Sequence, residues 1–504
     1  MKLINSSEMK KYDAKTITEL GISSLILMER ASLDVFYFIK KNYKKFIKKK
    51  EILILAGFGN NGADGIALAR MLFLEKINIK LVLIGDENKR TNENNIQIQI
   101  IEKLGIKTYS FEDIEEDIEN NDFEIIVDGI FGIGITRDLD KYYSDIIEKV
   151  NNMNGLKIAL DIPTGINGDN GQIMKIAFKA DYTFTFGFYK TGLFMDSSID
   201  YVGKVILVDI GIPDFFADEV NTNYLTEEKI LSLIKKRPKS SYKNMFGNVL
   251  LIGGSENMSG AISISTKASL RSGVGLVNAL VEKNIHSIVA SQVPSAMVNY
   301  YNDFEDFIIK FNSLAKPNSI AFGMGCGKNN EKKKILEFLI LNFEGNLLID
   351  ADGLNLLSEN MSLLKQRKFN TIITPHLGEF SRLINKDKNE INKNKLDVLE
   401  SFMKDKNNLV CVLKGAKSII SNGDEIYINS TGNPIFARGG SGDILSGLIA
   451  GLLAYNNPFE SALLGTYIHG LAGDLPINDF SEISILPEEI IDYISKAFFY
   501  LEKN

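Results

Sequence analysis

The chain has 504 residues, with 57 Lys+Arg against 64 Asp+Glu for a formal charge of −7, and is 45% apolar and 24% charged. This length calls for two or three domains with ample core at roughly 100–200 residues each, which excludes disorder along most of the chain, and the acidic balance argues against a nucleic-acid partner. Two cysteines, Cys326 and Cys411, exclude a disulfide framework and a cysteine-rich metal site.

From the amino terminus, MKLINSSEMKKYDAKT has no apolar signal-peptide core. The run from Lys40 to Lys50 is rich in lysine, but Phe36, Ile39, Tyr43 and Ile47 recur at helical spacing. The lysines are therefore read as the wet face of a helix, not as a polyanion patch. Short β-branched runs then alternate with amphipathic segments. Strands are expected at 51–56, 79–84, 123–127 and 156–160, helices at 63–75 and 96–104, and further strands at 181–186 and 204–208. Continuous apolar strands separated by helices predict a parallel sheet covered on both faces. The pattern restarts beyond the charged, proline-bearing stretch 235–241, with a strand at 248–252 and a helix at 259–271. More strands follow at 320–322, 346–349, 371–373, 409–413 and 417–420. Two tandem three-layer α/β domains result, with a boundary in 221–240 taken as 1–221 and 222–504. The most apolar stretch, 444–454, is too short and glycine-rich for a bilayer, which needs about 20 residues. No membrane association is expected, and the protein is placed in the cytoplasm.

Three strand ends in the first half carry chemistry. After 51–56 comes Gly57-Phe58-Gly59-Asn60-Asn61-Gly62-Ala63-Asp64-Gly65, a glycine-rich turn that aims helix N–H groups at an anion. A tight turn needing positive φ is the plain alternative. The other two are Asp128-Gly129-Ile130-Phe131-Gly132-Ile133-Gly134 and Asp161-Ile162-Pro163-Thr164-Gly165. Ligands of open parallel sheets bind beyond the carboxyl ends of the strands, so Asp128 and Asp161 should share a crevice with the Asn60-Asn61 turn. Their carboxylates suit cation binding or acid–base work.

These three segments, in order, resemble the epimerase domain of the NAD(P)H-hydrate repair enzymes, which implies a Rossmann-like first domain. By that resemblance Asn60, Asn61, Gly62, Ala63 and Asp64, with Gly132, Ile133, Gly134, Ile135, Thr136, Arg137 and Asp138, contact the hydrated dinucleotide. Asn61, Asp128 and Thr164 hold potassium, and Asp161 binds substrate as the acid–base residue. Ala63 replaces a glycine of the family pattern, which puts a methyl group near the phosphates, and Asp138 stands where proline is usual.

In the second half Asn433-Pro434-Ile435-Phe436-Ala437-Arg438-Gly439-Gly440-Ser441-Gly442-Asp443 leads into an apolar helix. Backbone N–H groups and a helix end worth roughly +0.5 charge form a hole for phosphoryl oxyanions. Asp443 in the first turn suits deprotonation of an attacking hydroxyl. Three further segments sit at strand ends: 350–355 (DADGLN), 374–380 (TPHLGEF) and 414–418 (KGAKS). No Walker motif or zinc spacing occurs.

This set is similar to the ribokinase-like superfamily and, within it, to the ADP- or ATP-dependent NAD(P)H-hydrate dehydratases. The resemblance implies that Ala261, Gly325, His376 and Asp443 contact the hydrated cofactor. It gives the adenine nucleotide to Lys414, Gly415, Ala416, Lys417, Ser418, Asn433, Gly439, Gly440, Ser441 and Gly442. Asp443 becomes the catalytic base, and Mg²⁺ accompanies ADP or ATP. Arg438 replaces a threonine beside the phosphate loop, where its charge either strengthens nucleotide binding or faces solvent. The expected whole is a bifunctional enzyme, likewise a homo-oligomer, whose partners are small molecules: hydrated NADH or NADPH and an adenine nucleotide. The alternatives are a ribokinase-like kinase for a vitamin or sugar with an N-terminal nucleotide-sensing module, and a scaffold that binds without turnover.

Overall fold

The computed structural model describes residues 1–43, 51–120, 123–478, 480–481 and 483–503. The chain divides into two compact units, Lys2–Val220 and Asn221–Asn504 with Met1. The lysine-rich run falls partly outside the described residues. Its start lies on helix Ser24–Tyr43, where Phe36 and Ile39 are buried, Lys41 is exposed and Lys40 pairs with Glu75 at 2.9 Å.

In the first unit the strands are β1 (Leu3–Ile4), β2 (Glu51–Ala56), β3 (Ile79–Leu83), β4 (Thr108–Tyr109), β5 (Phe123–Gly129), β6 (Leu156–Leu160), β7 (Tyr182–Phe186), β8 (Tyr189–Lys190) and β9 (Lys204–Val208). Among the described residues, a seven-stranded sheet runs β4-β3-β2-β5-β6-β7-β9, parallel throughout. Alternate residues serve opposite faces. Ile52, Ile54 and Ala56 enter one core with helices Ser24–Tyr43 and Asn60–Leu74, while Leu53 and Leu55 enter the other with Ile146, Ile147 and Val150 of helix Lys141–Asn151. Burial on both sides is why these strands read as unbroken apolar runs. The chain reverses its direction of winding at β2, whose neighbours are β3 and β5. That switch point opens a crevice at the strands' carboxyl ends. The short pair β1–β8 lies apart and fixes Lys190 against Ile4.

The second unit holds β10 (Thr222–Leu225), β11 (Asn248–Ile252), β12 (Leu276–Glu282), β13 (Met297–Tyr301), β14 (Ser319–Phe322), β15 (Asn346–Ile349), β16 (Thr371–Ile373), β17 (Leu409–Leu413), β18 (Ile419–Ser421) and β19 (Ile426–Asn429). Their order is β10-β19-β18-β17-β16-β15-β14-β11-β12-β13, with β18 antiparallel to both of its neighbours. The switch point here lies between β11 and β14. Helix Ser441–Leu452 packs on helix Ser259–Leu270 so closely that a methyl group at Gly447 would stand 2.0 Å from the Ser265 carbonyl oxygen. Some of the glycines in that helix therefore serve packing. Sequence reading missed β10, β12, β13 and β19, which widen this sheet.

Candidate active sites

The first site forms where β2 and β5 end. Helix Asn60–Leu74 starts at Gly59 with no side-chain cap, so its first N–H groups stay available. The turn glycines do not adopt positive φ. They are glycine because of contact: a methyl group at Gly57 would stand 2.1 Å from the Ile130 carbonyl oxygen, and one at Gly62 1.8 Å from that of Gly57. The turn is thereby pressed onto the segment that follows β5.

Asp128 is fully buried and accepts from Thr164 Oγ1 at 2.7 Å, Thr164 N at 2.7 Å and Ile130 N at 3.1 Å. Burial pushes its carboxyl up to about 6, against those hydrogen bonds. Phe131 links the neighbours, its N–H donating to Thr164 Oγ1 at 3.1 Å and its carbonyl accepting from Asn61 Nδ2 at 2.9 Å. Asn61 Oδ1 is buried with no partner.

Asp161 follows β6 with φ of +63°, a conformation a non-glycine residue holds only when its surroundings fix it. Its Oδ1 accepts from Lys190 Nζ at 2.6 Å, Phe186 N at 3.3 Å and Thr185 Oγ1 at 3.5 Å. Lys190 is 1% exposed and also donates to the Phe186 carbonyl at 2.5 Å. Oδ2 is turned towards Gly132, where a methyl group would stand 3.1 Å from it and 3.5 Å from Asn61 Cγ. Asp161, Asn61 and Gly132 therefore meet on the wall of a cavity of about 500 Å³, which Asn60, Asp64, Ile133 and Gly134 also line. Burial and the charges of Asp161 and Asp13 hold Asp64 well above the carboxylate range, with Lys190 opposing them. Burial likewise raises Asp13.

Some of the residues expected to contact the dinucleotide lie off this cavity wall. The Ala63 methyl is buried inside the unit and off the cavity wall, as is Gly62. Ile135 packs into the core, while Thr136, Arg137 and Asp138 are exposed beyond the wall. Sequence reading missed Lys190 and Asp13. The clue to Lys190 was a lone lysine inside the apolar run 182–195.

In the second unit Asp350, just past β15, accepts from Lys414 Nζ at 2.7 Å through Oδ1 and from Ser446 Oγ at 2.5 Å through Oδ2. Lys414 also lies 4.0 Å from Glu379. Burial works against the ammonium, but Asp350, Glu379 and Asp443 outweigh it and raise its pKa. Burial lifts Glu379 to about 7 against the pull of Lys414. Glu379 and His376 form a capping box: His376 N donates to Glu379 Oε2 at 2.8 Å, and His376 Nδ1 accepts from Gly378 N at 2.9 Å and Glu379 N at 3.2 Å. That places the imidazole proton on Nε2, and burial with Lys414 lowers the ring's pKa, so it stays neutral.

Helix Ser441–Leu452 starts at Gly440 with φ of +95° and no side-chain cap. Nothing stands within 4 Å of where a methyl group at Gly439 would be, and one at Gly442 would lie 3.4 Å from Lys414 Nζ. The loop thus brings open backbone N–H groups to the Lys414 cation. Asn433 shapes this loop, its Nδ2 donating to Asp474 Oδ1 at 2.8 Å, and Lys417 Nζ donates to the Ser430 carbonyl at 3.2 Å. Gly415 and Ala416 are exposed, while Ser418 and Ser441 are half-buried and buried. Among the described residues the Asp443 carboxyl takes no hydrogen bond; burial and then Asp350 push it up to about 7, with Lys414 opposing. Ala261 and Gly325 meet at the β11/β14 switch, where a methyl group at Gly325 would stand 2.9 Å from Ala261 Cβ. Arg438 is engaged within the protein: its guanidinium donates to the carbonyls of Ile483 and Ile485.

Fold and sites define an α/β enzyme of two nucleotide-handling units, the second of them ribokinase-like. Residues 249–496 match the family model for NAD(P)H-hydrate dehydratase, and residues 24–192 match that for the YjeF-related protein N-terminus. A ribokinase-like superfamily protein from Enterococcus faecalis is 29% identical, with a TM-score of 0.50 over 56% of this chain and 96% of its own. The ADP/ATP-dependent NAD(P)H-hydrate dehydratase from Bacillus subtilis, co-crystallised with ATP and Mg²⁺, is 25% identical with the same TM-score, over 56% of this chain and 99% of its own. The bifunctional NAD(P)H-hydrate repair enzyme Nnr of Dictyoglomus turgidum is 32% identical over 98% of this chain and 99% of its own length, and that of Moorella thermoacetica 29% over 100% and 98%. The chain belongs to the bifunctional NAD(P)H-hydrate repair enzymes. Among the described residues, no helix is long and apolar enough to cross a membrane.

Proposed function

We propose that residues 1–221 interconvert the R and S forms of hydrated NADH and NADPH, and that residues 222–504 dehydrate the S form with ADP or ATP, in the cytoplasm. The observation that supports this best is common to both units: a carboxylate oxygen without a hydrogen-bond partner lies beside an uncapped, glycine-led helix start. The helix start takes phosphate and the carboxylate moves a proton.

In the first unit Lys190 fixes Oδ1 of Asp161, which leaves Oδ2 to work on the hydroxyl of the hydrated ring. Asn61, Asp128 and Thr164 would hold K⁺: among the described residues Asn61 Oδ1 is buried without a partner and open to a cation, and the oxygens of Asp128 and Thr164, joined by their own hydrogen bonds, would complete the set. When bound, K⁺ adds positive charge next to the substrate. In the second unit Asp443 removes the proton of the C6 hydroxyl as that oxygen attacks the terminal phosphoryl group. Gly439–Gly442 N–H groups and Lys414 steady the charge on phosphorus. Phosphate then leaves C6 with the C–O electron pair and C5 gives up a proton, so that the C5=C6 double bond forms and the dihydronicotinamide is restored. Both Asp350 oxygens are engaged within the protein, and Mg²⁺ would accompany the nucleotide, where it would supply positive charge to the phosphates.

The test is incubation with mixed R and S hydrated NADH, Mg²⁺ and ADP or ATP. All substrate should be consumed and the NADH absorbance recovered, while omission of nucleotide should leave interconversion alone. Failure to regenerate NADH with either nucleotide refutes the dehydratase assignment.

A further inference from the structure

The first cavity contains a carboxyl group to which contact with the dinucleotide gives no chemistry. Asp64 is 8% exposed, lines the cavity and carries no hydrogen bond or ion pair among the described residues. Buried carboxyls are ordinarily paired or hydrogen-bonded, so one left bare on a cavity wall is poised for something that enters the cavity. Its backbone is fixed, with the Asp64 carbonyl accepting from Ser32 Oγ at 2.9 Å. The charges that face it are Asp161, Asp13 and Lys190, with Lys10, Lys89 and Glu93 further along the wall. The one cation buried among these carboxylates, Lys190, is taken by Asp161. Asp161 therefore has the cation beside it, while Asp64 has two carboxylates, Asp161 and Asp13, as neighbours and no hydrogen-bond donor among the described residues.

We propose that Asp64 is a second catalytic residue of the epimerase site, the acid that works with Asp161 as base; this rests on the epimerase function proposed for residues 1–221. The hydroxyl of the hydrated ring sits on the carbon next to the ring nitrogen. As the C–O bond breaks, the nitrogen lone pair forms a C=N bond, and the departing hydroxyl takes the Asp64 proton and leaves as water. A water molecule then adds to the opposite face of that carbon and gives one proton to Asp161, and the C=N electron pair returns to nitrogen. One C–O bond is broken and one made, nothing is oxidised, and a proton passed from Asp161 to Asp64 resets the pair. The reverse conversion uses the same two groups with their roles exchanged.

The experiment gives the full chain pure S hydrate without nucleotide and follows the R form by chromatography. Asp64→Asn should lower kcat by about 10²–10⁴-fold while the Kd for the hydrate changes by less than about threefold. Asp64→Glu, which keeps the acid, should retain a substantial part of the rate, and formate should partly rescue Asp64→Ala. A packing role predicts neither effect. Wild-type epimerisation in Asp64→Asn, loss through KM alone, or formate failing to rescue an Asp64→Ala variant that still binds hydrate overturns the proposal. If wild-type protein leaves pure S hydrate unchanged, the epimerase function itself falls, and that result is distinct from failure of Asp64 alone.

Discussion

Replacement of Lys414 by methionine tests the electrostatics of the second site. The ammonium lies 2.7 Å from Asp350 and 4.0 Å from Glu379, whose side chains are 2% and 7% exposed. Removing one partner of a buried pair leaves an uncompensated charge and costs about 3–5 kcal/mol. At roughly 2–4 °C per kcal/mol for a large domain, one calorimetric transition should fall by about 6–20 °C. Because Lys414 also holds Asp443 down, its loss must raise the Asp443 pKa further. The base acts when ionised, so the wild-type dehydration rate should rise with pH through about 7, and the variant's rise should come at higher pH. The assay is recovery of NADH absorbance from S hydrate across a pH series, alongside calorimetry. A Lys414→Met protein with an unmoved melting transition and an unmoved pH midpoint would refute both the buried-pair cost and the coupling to Asp443.

Three other outcomes are expected. Asp161→Ala should still dehydrate S hydrate quickly while R lags at the spontaneous rate, and Asp443→Asn should dehydrate neither yet still interconvert them, both read by chromatography. Gly62→Ala should cost about 3 kcal/mol or more and abolish epimerisation, because its methyl meets the Gly57 backbone at 1.8 Å; Gly59→Ala, with nothing within 4 Å, should stay within about 0.5 kcal/mol in a denaturant titration. Exchanging K⁺ for Li⁺ should slow epimerisation and leave dehydration of the S form unchanged, since the proposed K⁺ position beside the unpartnered Asn61 Oδ1 belongs to the first site alone.

The strands buried on both faces were legible because nothing interrupts their apolar runs: EILILA and LVCVL read directly as β2 and β17. The four strands missed in the second unit carry asparagine. Asn278 in β12 donates to Asn248 Oδ1 in β11 at 2.7 Å, and Asn223 in β10 and Asn429 in β19 are buried with hydrogen bonds of their own. A polar residue satisfied by a neighbouring strand is indistinguishable in sequence from one in a loop. The glycine turn after β2 was located correctly, and the alternative reading of it, a need for positive φ, does not hold: Gly57 and Gly62 answer to the backbone of residues distant in sequence or one helical turn away, which no local φ argument detects.

The site residues divide along the same line. Asp128, Asp161 and Asp443 were legible because strand ends and helix starts are where these topologies gather ligands. Lys190 was not, because its meaning lies in Asp161, 29 residues earlier and one strand away. The two units nevertheless share a design. In each, an aspartate just beyond a strand pairs with a lysine further along the same unit, Asp161 with Lys190 of β8 at 2.6 Å and Asp350 with Lys414, just past β17, at 2.7 Å. In each, a further aspartate near a glycine-led helix start, Asp64 or Asp443, is left without a hydrogen bond and shifted upward by burial. A lysine committed to one carboxylate leaves its neighbour to feel mainly desolvation and negative charge, the conditions that make a carboxyl group an acid–base catalyst near neutral pH. Moving that lysine's charge, in either unit, should therefore alter the chemistry of a residue it does not touch.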